Sequence, residues 1–205
     1  MSIELYFRSL VLGFAIAAPV GPIGILCIQR TLRSGRVYGL VSGLGAATAD
    51  AVYGVIAALG LSVLSQWLTA QSRPLGIVGG LLLLYLGVQA FRAAPAVDQN
   101  DLPPAALLSA YGSVVLLTIT NPMTILSFAV IFGGMAANVT PSTTTLLVMP
   151  LGVFTGSALW WLTLSGGVSL LRRRLRPQHL RRINQLAGLL LCGFGVVLLL
   201  STLKI

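Results

Sequence analysis

Very few residues in this sequence can do acid–base or metal chemistry: 205 residues contain four acids and one histidine. Glu4 sits near the start, Asp98 and Asp101 fall in a polar stretch, and His179 lies among arginines. Asp50 alone is deep inside an apolar run. A charged carboxylate at membrane mid-depth costs about 3 kcal/mol or more, so it must face a cavity or a partner. There it could exchange a proton, hold an ammonium group or bind a metal cation. The simpler alternative is a structural hydrogen bond to a neighbouring helix through Thr48 or Tyr53. No basic residue lies deep in the apolar runs to neutralise it.

Two proline-containing breaks accompany Asp50. The first is Ala18-Pro19-Val20-Gly21-Pro22-Ile23-Gly24, inside an uncharged run from Ser9 to Gln29. The second is Thr118-Ile119-Thr120-Asn121-Pro122. Proline lacks an N–H and clashes with the carbonyl four residues back. In lipid, such a break persists only where the loosened backbone is buried in protein or lines a cavity. Gly21-Pro22 and Asn121-Pro122 also read as helix starts, with Pro favoured at the first helical position and Asn just before it. Each start exposes free N–H groups and a positive dipole end, which suits a carboxylate. The expected substrate site is therefore Pro19, Gly21, Pro22, Asp50, Thr118, Asn121 and Pro122. Ser157 joins them as the residue matching Asp50 later in the chain. Further hydroxyls at Thr120, Thr124, Ser127 and Thr155 more often bond their own helix backbone.

The elements that must position these groups are membrane helices. The chain is 56% hydrophobic and 8% charged, with mean hydropathy +0.94. That composition indicates a polytopic α-helical membrane protein and leaves no room for a soluble domain. The net charge of +9 is carried by short connections rather than one patch, so it does not suggest nucleic acid. Cys27 and Cys192 both lie in apolar runs, and a disulfide is not expected. Ala15-Ile16-Ala17 mimics a leader cleavage site, but Glu4 and the long apolar run favour a first span.

Six spans are expected: Leu5 to Ile28, Val37 to Leu64, Pro74 to Phe91, Ala105 to Ala136, Thr144 to Leu171 and Ile183 to Leu203. Trp67, Gln71 and Arg73 mark one interface. Arg30, Arg33 and Arg36 form the first basic loop, and Arg172 to Arg182, with His179, the last. Connections 1–2, 3–4 and 5–6 together hold ten arginines, against Arg8, Arg73 and Lys204 on the other side. The arginine-rich side is thus expected to be cytoplasmic, with both termini outside.

The halves match in order. Span 3 (Gly80-Leu81-Leu82-Leu83, then Gly87) resembles span 6 (Gly188-Leu189-Leu190-Leu191, then Gly195). Gly45 to Thr48 falls on Gly152 to Thr155, and Pro22 on Pro122. An odd number of spans per half makes the second half inverted. The expected architecture is an all-α, 3+3 inverted repeat with broken helices 1 and 4. Residues 1–92 form one repeat, 93–104 a linker and 105–205 the other. Transporters of this plan bind solute at the repeat interface.

Pro19-Val20-Gly21-Pro22, Gly35 and Gly39, Gly43-Leu44-Gly45 leading to Asp50, and Asn121-Pro122 before Leu126-Ser127-Phe128 resemble the LysE/RhtB family of amino-acid exporters. The resemblance covers essentially the whole chain. It implies a secondary transporter, not an enzyme, that exports amino acids or related small zwitterions across a bacterial inner membrane. The implied partners are that solute, a coupling ion, expected to be a proton carried by Asp50, and the lipid bilayer, with a homodimer among the assemblies the resemblance allows. No cofactor, resident metal or catalytic residue is expected. The wider superfamily includes heavy-metal exporters and thiol-redox conduits. A divalent-cation exporter is accordingly the alternative, although one deep carboxylate is a thin ligand set.

Overall fold

The computed structural model describes residues 2–19, 21–59, 71–93, 104–128, 142–172, 175 and 177–203. Among them every regular element is a helix: α1 (Ser2–Ala17), α2 (Pro22–Ser34), α3 (Arg36–Ala58) and α4 (Ser72–Arg92). α5 (Pro104–Ile119), α6 (Pro122–Phe128), α7 (Thr143–Arg172) and α8 (Pro177–Leu203) follow. α3, α4, α7 and α8 are each long and apolar enough to cross a membrane. Two bent pairs, α1 with α2 and α5 with α6, bring the total to six if each pair is one span. The fold is that of an all-helical, polytopic membrane protein.

Both breaks fall where proline predicts them. α1 makes its last bond from Ala18 N–H to Phe14 C=O, and α2 resumes with Pro22 as its first residue. The axes differ by 79°. α5 ends with Thr120 N–H bonding Leu116 C=O, α6 restarts at Pro122, and the bend is 62°. A third punctuation separates α2 from α3. Gly35 has φ 90° and donates its N–H to Thr31 C=O, a backbone conformation that disfavours any residue with a Cβ.

Packing pairs α4 with α8, α1 with α7, and α3 with both α7 and α5. Small residues permit the close approaches, since lipid offers no hydrophobic drive for helix association. A Cβ on Gly188 would lie 2.6 Å from Gly87 C=O, and one on Gly195 would lie 2.9 Å from Gly80 C=O. Gly156 of α7 sits against the backbone of Leu10 in α1. The larger core cluster joins Leu26, Ala46, Leu86, Leu117, Trp161 and Leu191. Around it, Leu108, Leu147, Leu170 and Leu186 are exposed, each at 60% or more, as lipid-facing residues are.

Several helix ends differ from the apolar runs. α2 continues through Arg30 and Arg33 to Ser34, and α3 opens on Arg36, so these arginines are not a loop. α8 starts at Pro177 and contains His179, Arg181 and Arg182. Hydropathy marks the lipid thickness, whereas a helix of 27 residues is ~40 Å long and carries charged turns beyond it. The end of span 2, Trp67, the body of the 93–104 linker and the end of span 4 lie outside the described residues.

Gly156→Ala should push α1 from α7 and cost about 1–3 kcal/mol, read as a lower unfolding temperature in detergent. Gly112 of α5 has open space around it, so Gly112→Ala should be neutral or gain up to about 1 kcal/mol. Equal behaviour of the two variants would contradict the tight α1–α7 contact.

Candidate functional site

The breaks in the helices and the middle of α3 open onto one cavity of about 650 Å³, within the ~300–1,000 Å³ of small-molecule sites. Its floor comes from the α1–α2 break: Ile16, Ala17, Pro19, Gly21, Pro22, Ile23 and Gly24. The α5–α6 break supplies Leu117, Thr118, Asn121, Pro122, Met123, Thr124 and Ser127. Ala46 and Asp50 project from α3, and Trp161 from α7. The remaining wall is apolar: Gly79 and Leu83 of α4, and Phe194, Val197 and Leu198 of α8, ending at Ser201. Seven of the eight expected site residues line this space. Ser157 stands behind it.

Asp50 is 4% exposed. Ser157 donates its hydroxyl proton to Asp50 Oδ2 at 2.7 Å, and Trp161 Nε1–H donates to Ser157 Oγ at 3.1 Å. The proton of Ser157 is thereby committed to Asp50, and the indole is held with its ring at the cavity wall. The neighbours considered from sequence bond elsewhere. Thr48 accepts from Tyr111 Oη at 2.8 Å, and Tyr53 Oη donates to Ile119 C=O at 2.7 Å. An equivalent tyrosine–threonine bond links α1 to α7: Tyr6 Oη donates to Thr155 Oγ1 at 3.0 Å.

The two helix restarts differ chemically. Asn121 Oδ1 accepts the N–H of Met123 at 3.1 Å, while its amide donates to Thr124 Oγ1 at 3.0 Å. That restart is capped by its own side chain. Gly21 has extended backbone and no side-chain oxygen to offer, so no side chain caps α2. The N–H groups of Ile23 and Gly24 have no acceptor within the helix. Thr118 lines the same cavity, and its buried Oγ1 makes no hydrogen bond among the described residues.

Sequence reasoning missed one buried charge. Arg30 is 8% exposed. Its Nη1 donates to Ser42 Oγ at 3.0 Å and Ala110 C=O at 2.9 Å, and its Nη2 to Ser113 Oγ at 2.9 Å. The guanidinium therefore ties α2 to α3 and α5, with Tyr38 5.8 Å from its carbon. Beside it, Gln29 Nε2 donates to Asn184 Oδ1 at 3.0 Å, and Asn184 Nδ2 to Ala93 C=O at 3.2 Å. The available signal was the spacing of Arg30, Ser42 and Ser113, which has meaning only once the three helices are packed. Cys27 and Cys192 are both free. Among the described residues no three of His, Cys, Asp and Glu gather into a metal-holding group.

The sequence model of one protein family, described as LysE type translocator, matches residues 14–202. The chain is 28% identical over 198 residues to the protein named "Putative amino acid efflux protein YcgF" of Bacillus subtilis, covering 94% of this chain and 93% of that one. It is 26% identical over 198 residues to "Chemotactic transduction protein ChpE" of Pseudomonas aeruginosa, covering 94% and 96%. With "Uncharacterized membrane protein YahN" of Escherichia coli it shares 28% over 176 residues, covering 84% and 78%. No solved structure matches the chain.

Arg30→Leu removes three hydrogen bonds between helices and should cost about 1–3 kcal/mol. Arg30→Lys should recover only part, because one ammonium cannot span α3 and α5 as the planar fork does. Denaturant unfolding in detergent measures both. Unchanged or raised stability in the leucine variant would mean that desolvation of the guanidinium outweighs its bonds.

Proposed function

This chain belongs to the LysE type translocator family, and on that premise we propose that it is a secondary exporter of amino acids or related small zwitterions. The solute leaves the cytoplasm through the cavity between the two helix breaks. The observation that carries this reading is Asp50: a buried carboxylate, opening onto that cavity, with one neutral hydrogen-bond donor as partner. Asp50 holds the solute's ammonium group or carries the coupling proton, and the restart of α2 receives the carboxylate. A transporter role in this reading agrees with a family described as translocators.

The 3+3 inverted repeat belongs to the same proposal, and the packing supports it. Exchanging spans 1 with 4, 2 with 5 and 3 with 6 converts the α1–α7 contact into the α5–α3 contact and leaves α4–α8 and α3–α7 unchanged. The bond from Tyr6 to Thr155 becomes that from Tyr111 to Thr48. The Gly87–Gly188 approach becomes Gly195–Gly80. Asp50 and Ser157 are counterparts that touch each other, as residues beside a pseudo-twofold axis do. In this reading the arginine-rich ends of α2, α3, α4 and α8 face the cytoplasm and both termini face outward, in a bacterial inner membrane. Divalent-cation export remains the second reading, supported only by Asp50 itself, since no further ligand-bearing acid, His or Cys lines the cavity among the described residues.

Inside-out vesicles with an imposed pH gradient should accumulate at least one amino acid from a labelled panel. Asp50→Asn keeps an acceptor for Ser157, so it should fold. It should lower the initial rate by about 10–100-fold, the worth of one charge-assisted bond of about 1.5–3 kcal/mol. Unaltered uptake in the variant would reduce Asp50 to a structural residue. Failure of every amino acid would remove the export reading and direct the assay to divalent cations.

A further inference from the structure

We propose, resting on the export reading, that the solute is a neutral amino acid with a bulky apolar side chain. Three features of the cavity lead there. The first is its charge. Asp50 is the one acid lining it, and no Lys, Arg or His does so among the described residues. One carboxylate accounts for one α-ammonium group. A lysine or arginine side chain would bring a second cation with nothing to meet, and a glutamate a second anion, each at a desolvation cost.

The second feature is a place for one carboxylate. The uncapped N–H groups of Ile23 and Gly24 carry the positive end of a 13-residue helix. Thr118 supplies an independent observation: the residue lines the same cavity, and its buried Oγ1 has no hydrogen-bond partner among the described residues. A hydroxyl left without a bond is costly in a protein interior, and a carboxylate oxygen would satisfy it. At the α5–α6 restart Asn121 already occupies the N–H of Met123, so the α2 restart offers more free donors, and the carboxylate is assigned there with Thr118 opposite.

The third feature is what remains for the side chain. Leu83, Leu117, Phe194, Val197 and Leu198 form the rest of the wall with the ring of Trp161. Two of the other hydroxyls there have spent their protons on the backbone, Ser127 on Met123 C=O and Ser201 on Leu198 C=O, both at 2.8 Å, while Thr124 at the α6 restart accepts from Asn121. The wall thus rewards aliphatic or aromatic surface. A hydrophobic wall separates substrates by about 10–200-fold for each methylene it loses.

The test is exchange by the purified full-length protein in proteoliposomes, with labelled leucine, phenylalanine, threonine, lysine and glutamate each offered alone. Leucine and phenylalanine should exchange at least tenfold more efficiently than the other three. Unlabelled leucinamide, which lacks the carboxylate, should compete at least tenfold more weakly than leucine. Thr118→Val keeps the side-chain shape and breaks no bond, so it should unfold at the wild-type temperature while raising KM for leucine about tenfold. Preference for lysine, glutamate or threonine would overturn this inference and leave export standing. An unchanged KM in Thr118→Val, or full competition by leucinamide, would overturn the carboxylate position. No exchange of any amino acid would remove the export reading as well.

Discussion

Everything at the centre of this molecule follows from holding one carboxylate at membrane depth. Asp50 is placed by α3, whose other inward positions are nearly all Gly, Ala or Ser. Small neighbours let α7 come close enough for Ser157 to reach Asp50 Oδ2 and for Trp161 to reach Ser157. The result is a directed chain, indole to hydroxyl to carboxylate. It uses the proton of Ser157 and leaves the carboxylate further acceptor capacity, on a side chain that reaches the cavity. Among the described residues no basic side chain pairs with Asp50. A carboxylate so placed is stable only in exchange with a proton or a cation from outside the fold.

The two helix breaks look alike in sequence and differ in chemistry. Proline interrupts both, and both face the cavity. Asn121 carries an amide that turns back on its own helix, whereas Gly21 has no side chain to do so. The capped restart keeps the N–H of Thr124 alone, and the uncapped one keeps those of Ile23 and Gly24. The difference between one Asn and one Gly therefore sets the polarity of the cavity along the line joining the two breaks.

The sequence shows the class, the breaks and most of the cavity. Pro19, Pro22, Pro122 and Asp50 were legible because each is anomalous in an apolar run, and an anomaly in lipid must be compensated locally. Ser157 was legible only as a counterpart of Asp50, and the bond between the two gives that match a physical meaning. Helix ends were misread at α2 and α8, since apolar length reports the thickness of lipid rather than the length of helix. Arg30 was misread for the same reason. It lies just past the apolar run, in a place where arginine normally reaches water, and its burial depends on Ser42 and Ser113 arriving from α3 and α5. The self-capping of Asn121 was hidden as well, because Asn before Pro signals a helix start without saying whether the side chain stays free.

The two ends of α2 are held by different forces. Its first turn meets the cavity without a cap, and its last turns are held by Gln29 and Arg30. The cavity draws on the last turns of α8, near Ser201, and the first half of α4, near Gly79. Both lie at the opposite end of those helices from Arg92 and Arg181. The polar ties around Arg30 thus join helices toward the arginine-rich end, while the cavity is lined from the other half of α4 and α8. Their partners are neutral hydroxyls, amides and carbonyls rather than carboxylates. Each such bond is worth about 0.5–3 kcal/mol net, because water can replace it, whereas a broken buried ion pair costs about 3–5 kcal/mol.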